Sequence, residues 1–384
     1  MSTPTRAELD IRRRVAASGP VPFSDFMALA LYHPEDGYYT RPDAATGAKG
    51  DFATSPDVSP AFGRRLAVQA IDVWDRLGGG PWSLVELGPG RGLLAADILE
   101  GLAEFEPRAR AALTGMTLVE ISPSLAQEQR ARLGRAAPGL DARWVRDLRE
   151  LPAQSVRGVV IGNEVLDALP VHVVARRGAE LVERCVGLGE RSLVWCDQPP
   201  SDPRLAERVA QYGLCRRDGD QAEVCLELEP FLRQIARVLD RGAVVFVDYG
   251  HTAARLGDEE HADGTLLGYY RHRVEPDVLA RPGLQDITAH VNWSHLEDAA
   301  REAGLAPAGR VAQDRFLLAL GIVDDLVPAG DPADETPEAL ARRLAARSLI
   351  LPGPGGGQRF EAVALVRQIP PDLRGLRDPF ASLP

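Results

Sequence analysis

The stretch SLVELGPGRGLLAADILEGL, residues 83–102, decides the fold of this chain. It opens with a short apolar run typical of a buried strand and closes with a helical pattern. Three glycines, Gly88, Gly90 and Gly92, lie between the two parts. Glycine permits a sharp strand-to-helix turn and lets a ligand approach the backbone closely. The stretch therefore predicts a strand, a ligand-binding loop and a helix in an α/β domain.

Further apolar runs follow this first strand and alternate with helical stretches. They are MTLVEIS (116–122), ARWV (142–145), GVVIGNE (158–164) and AVVFVDYG (243–250). Such alternation is typical of a parallel sheet covered by helices on both faces. We therefore predict an α/β fold with a Rossmann-like, doubly wound sheet. DITAHVNW (286–293) and RFEAVALVRQI (359–369) predict two more strands.

The segments outside this pattern predict how the chain is organised. Residues 171–198 alternate around Gly178 and Gly189, which indicates an inserted hairpin or meander. The stretch GDFATSPDVSP starts with a glycine and is polar. We expect residues 50–57 to fold over a cofactor as a lid. The alternative is a fixed turn between two helices. The predicted regions are a helical N-terminal region (1–80), the first part of the core (81–170), a β-rich insertion with a helix (171–228), the rest of the core (229–369) with an insertion near 255–285, and a C-terminal tail (370–384).

Composition excludes several classes of protein. The chain has 384 residues, with 44 basic and 55 acidic side chains and a net charge of −11, so it offers no basic surface for nucleic acid. It contains no apolar run of 18 residues, so we expect no membrane insertion. The N-terminus lacks the apolar centre of a secretory signal, which favours a cytosolic protein. Its four cysteines show no CxxC spacing and are expected to be reduced and structural.

The residues around the glycine loop predict the class of ligand. A dinucleotide fingerprint would need glycine at Leu93, and the GK[ST] of a phosphate-binding P-loop is missing. Glu120 closes the second apolar run, where a carboxylate can accept both hydroxyls of a ribose. A nucleoside without phosphates therefore fits best, and we predict S-adenosylmethionine.

Acidic residues at the strand ends then acquire candidate roles in holding this cofactor. Glu86 is placed for the methionine ammonium, and Asp147, just after the third strand, for the adenine amino group. The alternatives are structural. Glu86 could cap nearby amides, Glu120 could be a solvated surface acid, and Asp147 could equally be a structural residue.

Several motifs along the chain resemble one known family. They are LYHPEDGYY (31–39), GDFATSPDVSPAFG (50–63), LVELGPGRG (84–92), VEISPSL (119–125), GNEVLDALPVH (162–172), VDYGH (247–251) and DITAHVNW (286–293). Together they are similar to the MidA/NDUFAF7 family of S-adenosylmethionine-dependent methyltransferases. The resemblance implies a class I methyltransferase core with a helical N-terminal extension. It also implies a protein substrate with an exposed arginine, a subunit of respiratory complex I as the partner, and assistance in complex I assembly. A homodimer is a separate expectation. Because we see no mitochondrial presequence, we expect a bacterial, cytoplasmic member.

In class I methyltransferases the acceptor meets the methyl group beyond the fourth strand, and here that strand ends in Asn163 and Glu164. Asn163 is a candidate for both cofactor and acceptor binding. Glu164 and Asp167 can flank a guanidinium, because carboxylates form bidentate hydrogen bonds with it. His172 is a candidate acceptor for the released proton. The alternatives are that Asn163 and Asp167 cap a turn and that His172 is a packing residue.

Three functions remain open at this stage. The first is methylation of a protein arginine, and the second is methylation of a small molecule in the same pocket. The third is a non-catalytic assembly factor that binds S-adenosylmethionine for stability. Methyl transfer from a sulfonium is an in-line displacement, so we predict no metal in the site. The chain also contains neither HExxH nor GxSxG, so zinc-protease and serine-hydrolase chemistry lack support.

Overall fold

The structure is a computed structural model that describes residues 4–41, 54–271, 273–328, 330–331, 334–352 and 359–381. The helices are α1 (Arg6–Ser18), α2 (Phe23–Tyr32), α3 (Ser55–Val58), α4 (Ala61–Arg76), α5 (Leu93–Phe105), α6 (Pro107–Ala112), α7 (Pro123–Ala136), α8 (Pro203–Tyr212), α9 (Leu228–Val238), α10 (Ala253–Leu256), α11 (Trp293–Glu302), α12 (Gln313–Ala319) and α13 (Pro337–Ser348). The strands are β1 (Val21–Pro22), β2 (Trp82–Leu87), β3 (Leu113–Val119), β4 (Ala142–Val145), β5 (Val156–Asn163), β6 (His172–Arg177), β7 (Glu180–Leu188), β8 (Leu193–Gln198), β9 (Gln221–Val224), β10 (Leu239–Asp248), β11 (Gly250–His251), β12 (Leu267–Tyr270), β13 (Arg273–Glu275), β14 (Asp286–Thr288), β15 (Val291–Asn292), β16 (Ala306–Ala312) and β17 (Glu361–Arg367).

The chain forms two compact units, each assembled from separate stretches. Unit 1 contains Met1–Phe52, Leu166–Leu232 and Gly250–Ala299, and unit 2 contains Ala53–Val165, Arg233–Tyr249 and Ala300–Pro384. These units differ from the regions expected from the sequence. The predicted N-terminal region, 1–80, contributes to both units, because α4 belongs to unit 2.

Unit 2 contains the predicted doubly wound sheet. Its strand order is β16-β17-β10-β5-β2-β3-β4. The strands from β10 to β4 pair in parallel, whereas β17 is antiparallel to both of its neighbours. The direction of winding reverses between β2 and β5, and ligands of such sheets bind beyond the carboxyl ends of the strands at this point. The predicted class I methyltransferase core is confirmed.

The strand predictions from apolar runs hold for six of the seven strands of this sheet and miss β16, at one edge. The first five predicted strands correspond to β2, β3, β4, β5 and β10, and the predicted strand at 359–369 is β17. The single strand predicted at 286–293 is wrong, since this stretch forms the short strands β14 and β15, which belong to smaller sheets. β16, the sixth strand of this sheet in chain order, was not predicted from the sequence. Its sequence is APAGRVA. Its alanines, glycine and proline have low strand propensity, and as an edge strand it is only half-buried.

Unit 1 contains the predicted β-rich insertion. β6, β7 and β8 pair as an antiparallel meander, extended by β1 and β9. Helices α1 and α2 contribute Ile11, Phe23 and Phe26 to an apolar core that also holds Val173 and Val186 of the meander. Two smaller sheets, β13-β12-β14 and β11-β15, complete the described strands of this unit.

The cysteines agree with the expectation that they are reduced. All four cysteines carry free thiols, and burial raises the pKa of Cys185, Cys215 and Cys225 to about 12. These thiols are therefore protonated and unreactive at neutral pH. Within the described ranges, none of the helices has the length and apolar character needed to cross a lipid bilayer.

Candidate functional site

The glycine loop that follows β2 has an open backbone. Gly88, Gly90 and Gly92 have φ angles of 58°, 51° and 73°, in the left-handed region. A side chain at Gly88 would be strained in this conformation, and its Cβ would lie 3.1 Å from Cγ2 of Val165. A Cβ at Gly90 would have no atom within 4 Å. The space beside Gly90 therefore lets a ligand approach the backbone.

Glu86, the last but one residue of β2, is a buried acid. Its side chain is 3% exposed, and among the described residues its Oε2 atom has no hydrogen-bond partner. Burial, followed by repulsion from Asp97 and Glu120, raises its pKa well above the usual value. An ammonium group placed here would supply the missing partner and favour the ionised carboxylate. This vacant acceptor fits the amino-acid end of S-adenosylmethionine.

Glu120, just beyond β3, is held in a fixed orientation by its neighbours. Its Oε1 accepts a hydrogen bond from the backbone N–H of Ser122 (2.7 Å), and its Oε2 accepts one from Nε2 of Gln129 (2.8 Å). The same Gln129 nitrogen donates to the carbonyl oxygen of Gly90 (2.6 Å), and Trp144 Nε1 donates to Gln129 Oε1 (2.8 Å). Burial raises the pKa of Glu120, and the hydrogen bonds that it accepts from Ser122 and Gln129 oppose the rise.

This network ties the tip of β3 to the glycine loop. A carboxylate oxygen can accept more than one hydrogen bond, so Glu120 retains capacity for ribose hydroxyls. Gln129 was missed in the sequence because it lies on α7, outside the quoted motifs. Only the folded chain shows that it connects the loop to the acid.

Asp147, after β4, has a different role from the other acids. It caps the 3₁₀ turn Leu148–Glu150, where its Oδ1 accepts from the backbone N–H of Arg149 (2.7 Å) and its Oδ2 accepts from the guanidinium of the same residue (2.7 Å). The hydrogen bond from the Arg149 side chain lowers the pKa of Asp147. These contacts agree with the structural alternative, and recognition of adenine by Asp147 stays a prediction.

The tip of β5 presents an amide and a carboxylate together. Asn163 Nδ2 donates to Oε1 of Glu164 (3.0 Å), while the buried Oδ1 of Asn163 has no hydrogen-bond partner in the part of the chain that the structure describes. Glu164 has a φ of 52°, a left-handed conformation that costs an ordinary residue on the order of 1–3 kcal/mol. Strain of this kind persists where the surrounding contacts impose it.

Asp248, at the end of β10, imposes this conformation. Its Oδ2 accepts a hydrogen bond from the backbone N–H of Val165 (3.1 Å), and its Oδ1 accepts one from the backbone N–H of Tyr249 (2.9 Å). The backbone N–H of Glu164 donates to the carbonyl oxygen of Val247 (2.8 Å). Asp248 is 1% exposed and acts as a positioning residue for the turn that carries Glu164.

Asp167 and His172, the remaining predicted acceptor-site residues, belong to unit 1. Asp167 is buried, and its charge contributes to the raised pKa of Tyr32 after the larger effect of burial. His172 Nδ1 lies 2.7 Å from Oε1 of the fully buried Glu183. Burial opposes the ionisation of Glu183, but hydrogen bonds from His172 and Ser201 hold its pKa below the usual value. This pairing supports the packing role of His172, and proton transfer by it stays a prediction.

The predicted lid lies partly outside the described residues. Asp51 belongs to the stretch 42–53, which falls outside them. Thr54 and Asp57 form a capping box on α3, and the buried Ser55 hydroxyl donates to Oε1 of Gln313 (3.2 Å). The described part is therefore a capped helical turn, and closure of this segment over the cofactor stays a prediction.

Together, the sheet order, the open glycine loop, the vacant Glu86 acceptor and the oriented Glu120 define a class I methyltransferase that uses S-adenosylmethionine. The comparisons agree. The family model for S-adenosyl-L-methionine-dependent methyltransferases matches residues 65–311, and the chain belongs to this family.

Relatives and solved structures extend this result over nearly the whole chain. The mitochondrial protein arginine methyltransferase NDUFAF7 of Mus musculus is 30% identical over 377 residues, which cover 92% of this chain and 82% of the mouse protein. The Drosophila melanogaster homologue is 31% identical and covers 80% of this chain and 73% of its own length. A Burkholderia thailandensis protein crystallised with S-adenosyl-homocysteine is 34% identical, with a TM-score of 0.82, over 97% of this chain and 94% of that one.

Proposed function

We propose that the protein transfers a methyl group from S-adenosylmethionine to an arginine side chain of a protein substrate. The observation that carries this proposal is the amide–carboxylate pair of Asn163 and Glu164 at the carboxyl end of β5, held by a strained backbone. The names of the relatives from mouse and fruit fly, which are protein arginine methyltransferases, support the same acceptor. The net charge of −11 also favours a basic substrate.

An arginine acceptor sets a specific chemical problem. Its guanidinium stays protonated at neutral pH, and its nitrogen lone pairs are delocalised. A carboxylate that accepts hydrogen bonds from two guanidinium N–H groups fixes the plane of the group and draws positive charge away from the remaining nitrogen. Glu164 is the described residue at the tip of β5 with this capacity, and Asn163 orients it.

The reaction is a single displacement. S-adenosylmethionine supplies the methyl carbon, whose bond to sulfur breaks as the bond to a guanidinium nitrogen forms. The nitrogen then loses a proton, which Glu164 accepts and passes to water. Glu86 binds the ammonium of the cofactor and Glu120 binds its ribose hydroxyls, and Asp248 keeps the turn that carries Glu164 in place. Positioning of this kind contributes up to about 7–11 kcal/mol to catalysis in favourable cases.

The test follows labelled methyl groups from tritiated S-adenosylmethionine into a lysate of the protein's own cells. We expect label in protein, and methylated arginine after acid hydrolysis. Glu164→Gln should lower kcat by about 10²–10³-fold, as expected when one oriented charge is removed. Its affinity for S-adenosylhomocysteine should be retained. Glu104→Gln is the matched control, since Glu104 is exposed and pairs with Arg64 on the surface of unit 2.

Two other results would each contradict the proposal. Label confined to small metabolites would establish methylation of a small molecule. A biological effect that survives Asp167→Ala, in a variant without methyl transfer, would establish a non-catalytic assembly factor. A complex I subunit as the acceptor, a homodimer and a cytoplasmic location remain predictions of the sequence.

A further inference from the structure

Three histidines of unit 1, His251, His261 and His290, lie close together. A ring nitrogen of each lies within 4.8 Å of those of the other two. The ring centroids of His251 and His261 are 4.6 Å apart, and those of His251 and His290 are 5.1 Å apart. None of the three has a role in the methyl transfer proposed above.

The pairing of β11 with β15 brings two of these imidazoles together. The strands are parallel, with Gly250 opposite Val291 and His251 opposite Asn292, and His290 directly precedes β15. A Cβ at Gly250 would lie 2.2 Å from the carbonyl oxygen of Val291, so only glycine allows the strands to approach this closely. The backbone therefore fixes the spacing of His251 and His290.

The third imidazole is held by a separate set of contacts. His261 ends the 3₁₀ turn Glu259–His261, and the carbonyl oxygen of the next residue accepts from the backbone N–H of Gln221 (2.7 Å). Thr265 Oγ1 accepts from the backbone N–H of His290 (3.0 Å) and donates to Oε2 of Glu223 (2.8 Å). The turn is thus tied both to β9 and to His290. These contacts fix the backbone around His261 and His290.

One atom of the cluster needs a partner that the described residues do not provide. Nδ1 of His261 is buried and forms no hydrogen bond to any described residue. A buried polar atom without a hydrogen-bond partner is energetically unfavourable. A metal ion can satisfy such a nitrogen by accepting its lone pair.

We propose that His251, His261 and His290 bind a divalent transition-metal ion, with Zn²⁺ as the best match. Zinc is commonly held by imidazole nitrogens at about 2.0–2.1 Å, and three protein ligands leave a fourth position for water or another small ligand. In a tetrahedral site the ligand nitrogens lie about 3.4 Å apart. Separations of up to 4.8 Å close to this value by small side-chain rotations.

Such an ion would connect three segments that are distant in sequence. It would join the end of β11, the turn at residues 259–261 and the start of β15. Because a site formed only in the folded chain contributes its binding free energy to folding, the ion should stabilise unit 1. The rings are half-buried, so the ion and its fourth ligand can exchange with solvent.

The test uses the full chain, freed of metal with a chelator and titrated with Zn²⁺ by isothermal calorimetry. We expect one ion per chain and a higher melting temperature. His261→Asn should weaken binding by more than about 100-fold, since loss of a ligand costs more than loss of its supporting contacts. The matched control is Glu259→Gln, which changes an exposed charge on the same turn and should bind Zn²⁺ as the wild type does.

Circular dichroism and a cooperative thermal unfolding transition report whether each variant is folded. If His261→Asn is unfolded, anomalous diffraction at the zinc edge from wild-type crystals decides the question. A peak within about 2.3 Å of nitrogens from all three histidines supports the site. No peak there, no saturable binding by the wild type, or unchanged affinity in folded His261→Asn would overturn it.

Discussion

Asp97, on α5 directly after the glycine loop, offers the sharpest test of the electrostatics of unit 2. Its side chain is buried and its Oδ2 has no hydrogen-bond partner among the described residues. Burial, reinforced by Glu100, raises its pKa from 3.8 to about 7, although Arg132 and Arg64 pull the value down. The perturbation is Asp97→Asn, which removes the charge and keeps the shape.

The size of the effect follows from the difference between the two pKa values. An unfolded Asp has a pKa of about 3.9, and the folded value is about 7. An acid with a raised pKa binds its proton more tightly in the folded state, so wild-type stability falls as pH rises from about 4 to 7. Each pH unit in this window lowers the free energy of unfolding of the wild type by about 1.36 kcal/mol. The total loss above pH 7 is therefore at most about 4 kcal/mol.

The assay is urea unfolding of the wild type and of Asp97→Asn between pH 5 and pH 8. The variant should become more stable than the wild type as the pH rises. The difference between their free energies of unfolding should grow by about 2–3 kcal/mol from pH 5 to pH 8. Asp75→Asn is the control, because Asp75 is exposed and its substitution should change the free energy of unfolding only slightly. A difference for Asp97→Asn that is constant or shrinks with pH would refute the reasoning.

The same substitution should alter cofactor binding. Repulsion from Asp97 is the second cause, after burial, of the raised pKa of Glu86. The ammonium of S-adenosylmethionine pairs with ionised Glu86, so wild-type affinity should rise with pH through that pKa and then level off. Asp97→Asn should move this rise to lower pH, as measured by calorimetry. An unchanged midpoint would show that the two acids are not coupled.

Three further substitutions test the contacts around the site. Gly88→Ala should lower the affinity for S-adenosylhomocysteine by about tenfold or more, because a left-handed alanine costs about 1–2 kcal/mol and its Cβ meets Val165; unchanged affinity would contradict this. Asp248→Asn should lower kcat more than cofactor affinity, since it loses one acceptor for the turn at Glu164. His172→Gln should lower the unfolding free energy by about 1–3 kcal/mol and leave kcat within a few-fold; a folded variant with kcat reduced 100-fold would instead identify the proton acceptor.

The central fold was predictable because its signals are local. The run SLVEL, the three glycines and the following helix lie within 20 residues, and the positive φ angles of Gly88 and Gly90 are those that the turn requires. The inner strands bury both faces, so they read as continuous apolar runs. The edge strand β16 has one neighbour and half-buried positions, so its sequence carries no comparable pattern.

The residues that orient the site were not predictable in the same way. Gln129 reaches both Glu120 and Gly90 only because α7 packs beside the loop. Asp248 acts across the pairing of β10 with β5, on a residue 83 positions earlier in the chain. In both cases the sequence shows an ordinary polar side chain, and its role arises from tertiary contacts.

The acids of unit 2 make the ligand-free protein the less stable form. Burial of Glu86 near Asp97 and Glu120 places several carboxylates where water cannot solvate their charge, and each of the three has a raised pKa. A ligand with an ammonium group removes this penalty at Glu86 alone. Cofactor binding should therefore stabilise the protein more as the pH rises through the raised pKa of Glu86, because the ammonium pairs with the ionised carboxylate.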